Sequence, residues 1–121
     1  MSHVSKAIWG PACWQMLHST AATLTDVDAF LRLLRDLGSL LPCPECRNHL
    51  NAHLSAFPPE ACITNKETAS QYCFDLHNAV NRRSGRPICS PATVRERYRI
   101  SVKASPASML LSRDFKWFTR I

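Results

Sequence analysis

Two cysteines separated by two residues form the most reactive motif of the chain, Cys43-Pro44-Glu45-Cys46. A dithiol of this kind can be a redox disulfide, half of a zinc site or a structural staple. Cys43 stands at the predicted N-terminus of a helix, where free backbone N–H groups and the helix dipole stabilise a thiolate. A disulfide across so short a loop would add little stability. The motif therefore favours thiol–disulfide exchange over a purely structural bond.

Zinc is the main alternative, because His49 and His53 extend the motif to C-x2-C-x2-H-x3-H. All four of these side chains are of types that bind zinc. On one continuous helix, however, Cys43 and His53 lie about 15 Å apart along the axis, whereas ligands lie about 2.0–2.3 Å from a zinc ion. Binding by all four would require a broken helix, so we expect no metal at this motif.

Two stripes at helical spacing combine flat and polar side chains: Gly10, Trp14 and His18 in the first, and His77 and Asn81, with Asn78 adjacent, in the second. A small residue, an aromatic ring and polar rings in one row suit a planar ligand, and Asn and His can bond ring edges and ribose hydroxyls. A buried tryptophan with hydrogen-bonded core histidines would give the same spacing. The spacing alone leaves both interpretations open.

The net charge of +6 is concentrated at the C-terminal end, where ten of the fifteen Lys and Arg residues follow position 81. Such a segment either binds a polyanion, for example a nucleotide pyrophosphate or a nucleic acid, or forms a solvated surface. The sequence has no helix-turn-helix, zinc-finger or RNA-binding signature. We therefore expect no nucleic-acid partner.

Helical periodicity dominates the sequence, and no strand-like alternation of useful length is present. Caps and prolines predict five helices, over residues 9–24, 26–41, 43–56, 64–83 and 91 to 98 or 100. Pro11 is expected near the first turn of the first helix, and Thr64 to Glu67 matches a capping box for the fourth. Short connections between these helices predict an all-α fold, an antiparallel four-helix bundle with a short fifth helix. The βαβ pattern of a thioredoxin-like dithiol protein is missing.

The length of 121 residues predicts a single domain over residues 1–121. No apolar signal segment or membrane-spanning stretch is visible, so we expect a cytoplasmic protein without a membrane partner. In that compartment, cysteines are more often catalytic or metal-binding than structural. Residues 101–121 form an extension beyond the core at about 9–100. It carries Met109-Leu110-Leu111 and Phe115 to Phe118, which are apolar enough to pack on the bundle or on a partner.

Four motifs together give the chain a family resemblance: W-G-x-x-x-W-x-x-L-H at residues 9–18, C-x-x-C at 43–46, H-N-x-V-N at 77–81 and V-x-E-R-Y-R at 94–99. In this order they resemble the flavin-dependent sulfhydryl oxidases of the Erv/ALR family, over roughly Trp9 to Tyr98. The resemblance implies a four-helix bundle with a short fifth helix that cradles FAD. The compact length resembles the minimal family members of large DNA viruses.

The resemblance also implies a division of labour between the two cysteines. Cys43 would exchange with a dithiol protein substrate, and Cys46 would face the flavin, which passes electrons to molecular oxygen and gives hydrogen peroxide. Residues matching the FAD-binding positions of the family are Trp9, Gly10, Trp14, His18, Cys46, His49, His77, Asn78, Val80, Asn81, Arg83, Arg86 and Tyr98. The two arginines would hold the pyrophosphate and the tyrosine would lie near the adenine.

Four cysteines outside the dithiol have less certain roles. The family usually has a structural disulfide that Cys73 and Cys89 would match, but Cys73 stands four residues before His77, where the family cysteine stands three before. Cys13 and Cys62 have no clear family counterpart. No cysteine follows Cys89 in this sequence, so no cysteine near the C-terminus can carry the exchange between a substrate and Cys43. The substrate therefore reaches Cys43 directly, or Cys13 or Cys62 acts as a relay. Family members commonly form homodimers through their first two helices, and we expect one here.

A function of another class stays open on the residues alone. The chain could be a non-catalytic helical binding module with structural cysteines or zinc and a basic nucleic-acid-binding face. A bound flavin would distinguish the oxidase from that module.

Overall fold

The computed structural model describes residues 4–110, and this part of the chain is helical and contains no strand. Its helices are α1 (Lys6–Ala22), α2 (Val27–Leu40), α3 (Pro44–Ala56), α4 (Pro59–Cys62), α5 (Lys66–Ser84), α6 (Pro91–Tyr98) and α7 (Ala107–Leu110). The predicted all-α class is confirmed. The four long predicted helices are α1, α2, α3 and α5, and α6 is the predicted short fifth helix.

The first helix begins three residues earlier than predicted because Ser5 caps it. The Ser5 hydroxyl accepts a hydrogen bond from the N–H of Ala7 at 3.1 Å, which satisfies one of the free donors of the first turn. Pro11 consequently lies inside α1 and not near its first turn. The added residues place Lys6 at the first position of the helix.

The predicted capping box of the fourth long helix was displaced by one residue. Asn65, and not Thr64, is the N-cap of α5, and its side chain accepts from the N–H of Thr68 at 2.9 Å. The Thr68 hydroxyl accepts in return from the N–H of Asn65 at 3.0 Å. Asparagine is at least as good an N-cap as threonine, and this pair satisfies two donors where Thr64 with Glu67 was expected.

Two short helices were not predicted. In the sequence, Pro58 and Pro59 indicate a helix stop, but proline also suits the first turn of a helix, and Pro59 begins the one-turn α4. Pro59 is buried in the structure. The second short helix, α7, follows Pro106 in the same way.

Helix α5 is the central element of the fold, with α1 packed along it and α2 packed against α3. Trp14 stacks on His77, while Leu17, about one turn further along α1, lies beside Cys73, one turn back along α5. The two helices therefore run antiparallel, as predicted. The main core cluster is apolar and draws on α1, α2, α3, α5 and the residue after α4: Leu17, Ala21, Phe30, Leu34, Leu50, Leu54, Ile63, Ala69, Tyr72, Cys73 and Leu76.

A second, smaller cluster holds α6 on α5. Phe74, Val94 and Ile100 are buried together, with Tyr98 and Cys89 partly buried against them. The packing of this cluster brings the end of α6 next to α1. Tyr98 thereby reaches the side chains of α1 that the sequence placed in the first stripe.

The segment after α6 runs back along α5. The Gln71 amide donates to the carbonyl of Lys103 at 3.0 Å and accepts from its N–H at 2.8 Å, and α7 packs on α5. The start of the predicted apolar extension therefore lies on the bundle, while Phe115 to Phe118 lie outside the described residues. None of the helices between residues 4 and 110 has the length and apolar character needed to cross a membrane.

Candidate active site

The C-x-x-C motif begins α3, as the sequence predicted. Cys43 is the N-cap of the helix, and its sulfur accepts a hydrogen bond from the backbone N–H of Cys46 at 3.2 Å. Pro44 occupies the first turn, where its missing N–H costs nothing. Both cysteines are half-buried free thiols. The helix start thus holds the two sulfurs on one turn and points backbone N–H groups at Cys43.

The two thiols of the motif differ in acidity. Burial alone would raise the pKa of Cys43, but hydrogen bonds from Cys46 and the nearby ammonium of Lys6 bring its pKa below the ordinary value. Burial, followed by the hydrogen bond and charge of Cys43, raises the pKa of Cys46 to about 11. In the reduced motif the first thiolate to form is therefore that of Cys43.

The two predicted stripes meet in a continuous row of rings contributed by α1, α5 and α6. Trp14 stacks on His77, with ring centroids 4.0 Å apart and an interplanar angle of 6°. Nε2 of His18 lies 3.0 Å from Nδ1 of His77, within hydrogen-bond distance. The His18 ring in turn stacks on Tyr98, with centroids 5.0 Å apart. We call these four side chains the ring row.

Both histidines of the ring row are uncharged at neutral pH. Burial, with a smaller contribution from Arg97, lowers the pKa of His18 to about 4. Burial, followed by the charges of His18 and Arg86, lowers the pKa of His77 to about 4. A neutral imidazole has one N–H donor and one nitrogen acceptor, so one of these two rings can donate a hydrogen bond to the other. The histidines of the ring row are therefore uncharged, and Arg97 and Arg86 act on their pKa values.

His49 connects the dithiol to the end of α5. It lies one turn beyond Cys46 on α3, and burial lowers its pKa, with Arg83 the next contributor. Arg83 is in the last turn of α5. Beyond it, Gly85 adopts the left-handed conformation (φ 74°) and the N–H of Arg86 bonds the carbonyl of Asn81 at 2.8 Å. This helix end places the two predicted phosphate-binding arginines beside His49 and His77.

These residues fit a planar, anionic cofactor such as FAD. A side chain at Gly10, one turn before Trp14, would meet no atom within 4 Å, so the space beside the first stripe is open. Trp9, next to it, is anchored because its indole N–H donates to the carbonyl of Val4 at 3.2 Å. Flat rings, neutral imidazoles and two arginines are the groups that a nucleotide with a pyrophosphate needs.

Asn78 is held by several hydrogen bonds within the protein. This side chain is fully buried. Its Nδ2 donates to the carbonyl of Cys89 at 3.2 Å and to Oγ of Ser105 at 3.0 Å, and its Oδ1 accepts from the N–H of Cys89 at 2.9 Å. The amide is therefore engaged on both sides within the protein. Asn78 fixes the segments on either side of α6 to α5, and its assignment to the cofactor stays a prediction.

The last two residues of the H-N-x-V-N run are placed differently from each other. Val80 is half-buried. Asn81 is 6% exposed, and its Nδ2 lies 3.9 Å from the sulfur of Cys89. Their assignment to the cofactor stays a prediction.

The possible pairing of Cys73 with Cys89 is not present in the structure, where both are free thiols. Cys73 is fully buried and its sulfur points to the carbonyl of Leu17 on α1, at 3.9 Å. The residue of α5 that clusters with Cys89 is Phe74, which occupies the family register three residues before His77. A shift of one residue turns a helical side chain by about 100°, and this rotation separates the two cysteines.

The structure does not support the zinc alternative at His53, Cys13 or Cys62. His53 is 2% exposed and packs against Phe57 and Tyr72 in the core. Between residues 4 and 110 no group of three or more His, Cys, Asp and Glu side chains can hold a metal ion. Cys13 is half-buried against the core, and Cys62 is exposed on α4.

Sequence reasoning missed two charged neighbours of the site. Lys6 acts on both cysteines of the motif and on His49, and Arg97 acts on His18. Neither position was assigned to the site by the motifs. Because the first helix was predicted to begin only at residue 9, no sequence signal pointed to Lys6, which the structure places in its first turn.

The fold and the site together define a small helical protein with a C-x-x-C dithiol at the start of α3 and a row of stacked rings from α1, α5 and α6. Residues 11–99 match the Erv1/Alr family. Since this match spans most of the chain, the protein belongs to that family. The resemblance inferred from the motifs is confirmed.

Individual relatives agree with this assignment. The chain is 26% identical over 120 residues to protein 096R of invertebrate iridescent virus 3, whose name proposes a FAD-linked sulfhydryl oxidase, and the match covers 94% of this chain and 81% of the relative. It is 26% identical to 347L of invertebrate iridescent virus 6, with coverage of 82% and 99%. The FAD-linked sulfhydryl oxidase ERV1 of Oryza sativa is 34% identical over 65% of this chain and 43% of its own length. No solved structure matches the chain.

Proposed function

We propose that the protein is a FAD-dependent thiol oxidase with Cys43 and Cys46 as its redox pair. The observation that carries this function is the unequal dithiol at the start of α3, where Cys43 is the more acidic thiol and Cys46 the less acidic. Membership of the Erv1/Alr family and relatives named FAD-linked sulfhydryl oxidases support it.

We assign the order of the exchange steps from access, because Cys43 lines a surface cleft and Cys46 does not. A substrate thiolate attacks Sγ of Cys43 in the oxidised pair, the Cys43–Cys46 bond breaks, and Cys46 leaves with the electron pair. The second substrate thiolate then attacks the substrate sulfur of the mixed disulfide, and Cys43 leaves as a thiolate. The better leaving group is the thiol with the lower pKa, so release of the substrate disulfide is favoured at Cys43.

The ring row and the arginines are the residues that would hold FAD. Trp14, His18, His77 and Tyr98 offer flat contact, and Arg83 and Arg86 neutralise the pyrophosphate. When bound, FAD supplies the acceptor for the two electrons of the dithiol and passes them to molecular oxygen as hydrogen peroxide. Burial keeps the two histidines neutral, so they bind through hydrogen bonds and stacking and add no charge to the flavin side.

The substrate, the cellular location and the oligomeric state are finer assignments. The natural substrate is proposed to be a protein dithiol, and a cytoplasmic location stays a prediction from the sequence.

A homodimer through α1 and α2 is supported by apolar side chains that these helices expose: Ile8 is 70%, Met16 65% and Leu40 72% exposed. Light scattering of Met16→Glu against the unchanged protein tests the dimer, because a charge in its interface should release monomers.

The proposed activity is tested by the flavin spectrum and by oxygen consumption with dithiothreitol. The protein should be purified yellow and should consume oxygen only while both cysteines of the motif are present. Cys62→Ser, which alters an exposed thiol outside the motif, is the matched control and should stay active. A colourless protein that contains zinc would refute the oxidase and favour a non-catalytic binding module.

A further inference from the structure

The dithiol opens into a cleft that the family motifs do not describe. The cleft has a volume of about 610 Å³, with residues 4–6 of the α1 start on one side and residues 42–45 with Asn48 on the other. Cys43 is part of its wall. Access to this sulfur from solvent is therefore through a space shaped by the N-termini of two helices.

Lys6 is the only positive side chain along this cleft within the described part of the chain. It is exposed. No ion pair involves it among residues 4–110, so its ammonium is available to a ligand. Lys6 also precedes the segment that matches the family, residues 11–99, and is therefore a feature of this chain beyond the matched segment.

The acidic residue of the cleft does not cancel Lys6 at the reacting sulfur. Glu45 acts on Cys43 through its backbone N–H, which favours the thiolate, and its carboxylate acts on Cys46 instead. The charge that influences Cys43 is that of Lys6. Lys6 and Cys43 line the same cleft, so a positive charge acts on the sulfur that a substrate must reach.

Resting on the proposed function, we propose that this cleft is the docking site for the substrate thiol and that Lys6 selects thiols with a negative charge beside them. The ammonium attracts an acidic substrate segment towards Cys43 and stabilises the negative charge shared by three sulfurs during exchange. The fitting partner is an extended peptide segment whose cysteine has an aspartate or glutamate neighbour. Lys6 is a positioning residue in this account and does not itself exchange electrons.

Charge selection can be measured at Cys43 without any turnover. Reduced protein is alkylated with an equal mixture of iodoacetate, which is anionic, and iodoacetamide, which is neutral, and mass spectrometry gives the ratio of the two adducts on each cysteine. Both reagents require the thiolate, so their ratio reports attraction of charge and not acidity. We expect Lys6→Gln to lower the iodoacetate share at Cys43 roughly two- to fivefold, the range of exposed charge pairs.

The chain supplies two matched controls. Lys66 is likewise the exposed first residue of a helix, α5, and Lys66→Gln should leave the ratio at Cys43 unchanged. Cys62 is an exposed thiol in the same molecule, and its ratio should not respond to Lys6→Gln. An unchanged ratio at Cys43, or an equal change at Cys62, overturns the proposal.

Substrate selection is then read from oxygen consumption with two dithiols of one scaffold, dihydrolipoate and the neutral dihydrolipoamide. Lys6→Gln should lower kcat/KM for the anionic dithiol roughly two- to fivefold more than for the neutral one. If both variants are active and discriminate equally, Lys6 does not select charge. If the unchanged protein oxidises neither dithiol, the proposed function fails, and the alkylation ratio still decides whether Lys6 attracts anions to Cys43.

Discussion

Replacing Asn78 tests whether this residue is a structural clamp or a cofactor ligand. The motif places it in the cofactor site. The structure uses its amide for three hydrogen bonds, two to the backbone of Cys89 and one to Ser105. Asn78→Ala should therefore destabilise the protein even without FAD.

The size of this loss follows from the three bonds. Each buried hydrogen bond contributes about 1 kcal/mol, and more when its partner is left unsatisfied, so the free energy of unfolding should fall by about 3 kcal/mol. For a domain of this size that lowers Tm by about 12 °C. Urea denaturation and thermal melts, each with and without excess FAD, measure both quantities.

Asn51→Ala is the matched control for this experiment. Asn51 makes a single hydrogen bond, from its Nδ2 to the carbonyl of Gly38 at 2.9 Å, and is exposed. Its loss should cost about 1 kcal/mol or less. The clamp would be refuted if Asn78→Ala is no less stable than Asn51→Ala, or if its deficit exists only in FAD-loaded protein.

Three further outcomes are expected. At a pH high enough to ionise Cys46, whose pKa burial raises, Cys43→Ser should leave an unpaired thiolate beside the flavin and give a long-wavelength charge-transfer band, whereas Cys46→Ser should give none; the reverse pattern of absorbance would invert the two roles. His77→Ala should lose most of the stabilisation that FAD provides, about 2.7 kcal/mol at a concentration 100-fold above Kd, and melts with added FAD that match the unchanged protein would remove His77 from the site. Acid should destabilise the protein because burial lowers the pKa of His53 to about 4: the unfolded state binds the proton first, so stability is complete above about pH 6.5 and falls towards pH 4. His53→Leu should flatten that part of the pH profile of urea unfolding, and an unaltered profile would mean that His53 does not contribute to it.

Local signals were enough to predict the helices and the dithiol. The four long helices and α6 were predicted from apolar spacing, caps and prolines, with end errors of one to three residues, at Ser5 and Asn65 for example. At α5 the error arose because Thr64 and Asn65 compete to cap the helix, and neighbouring side chains of similar quality cannot be ranked by sequence alone. Cys43 at a helix start followed directly from the proline after it.

The two stripes of side chains were predicted from the sequence, but the contact between them was not. Four-residue spacing put Trp14 and His18 on one face and His77 on another helix, and left open whether they were core or cofactor wall. Only the antiparallel packing of α1 on α5 brought the two histidines to 3.0 Å and burial made them neutral. Pairing between residues 59 positions apart is decided by the whole core and not by either helix.

Three other features depend on the tertiary structure for the same reason. Because Cys73 lies one position away from the family register, its side chain faces α1, and Phe74 packs near Cys89 instead. Residues 101–105 lie along α5, where Ser105 accepts a hydrogen bond from Asn78. The early start of α1 brought Lys6 to the dithiol. Residue types and spacing determine which chemistry is possible, since they act within one turn of helix. Which side chains share a site depends on how the helices pack, since packing alone fixes the rotation and reach of each one.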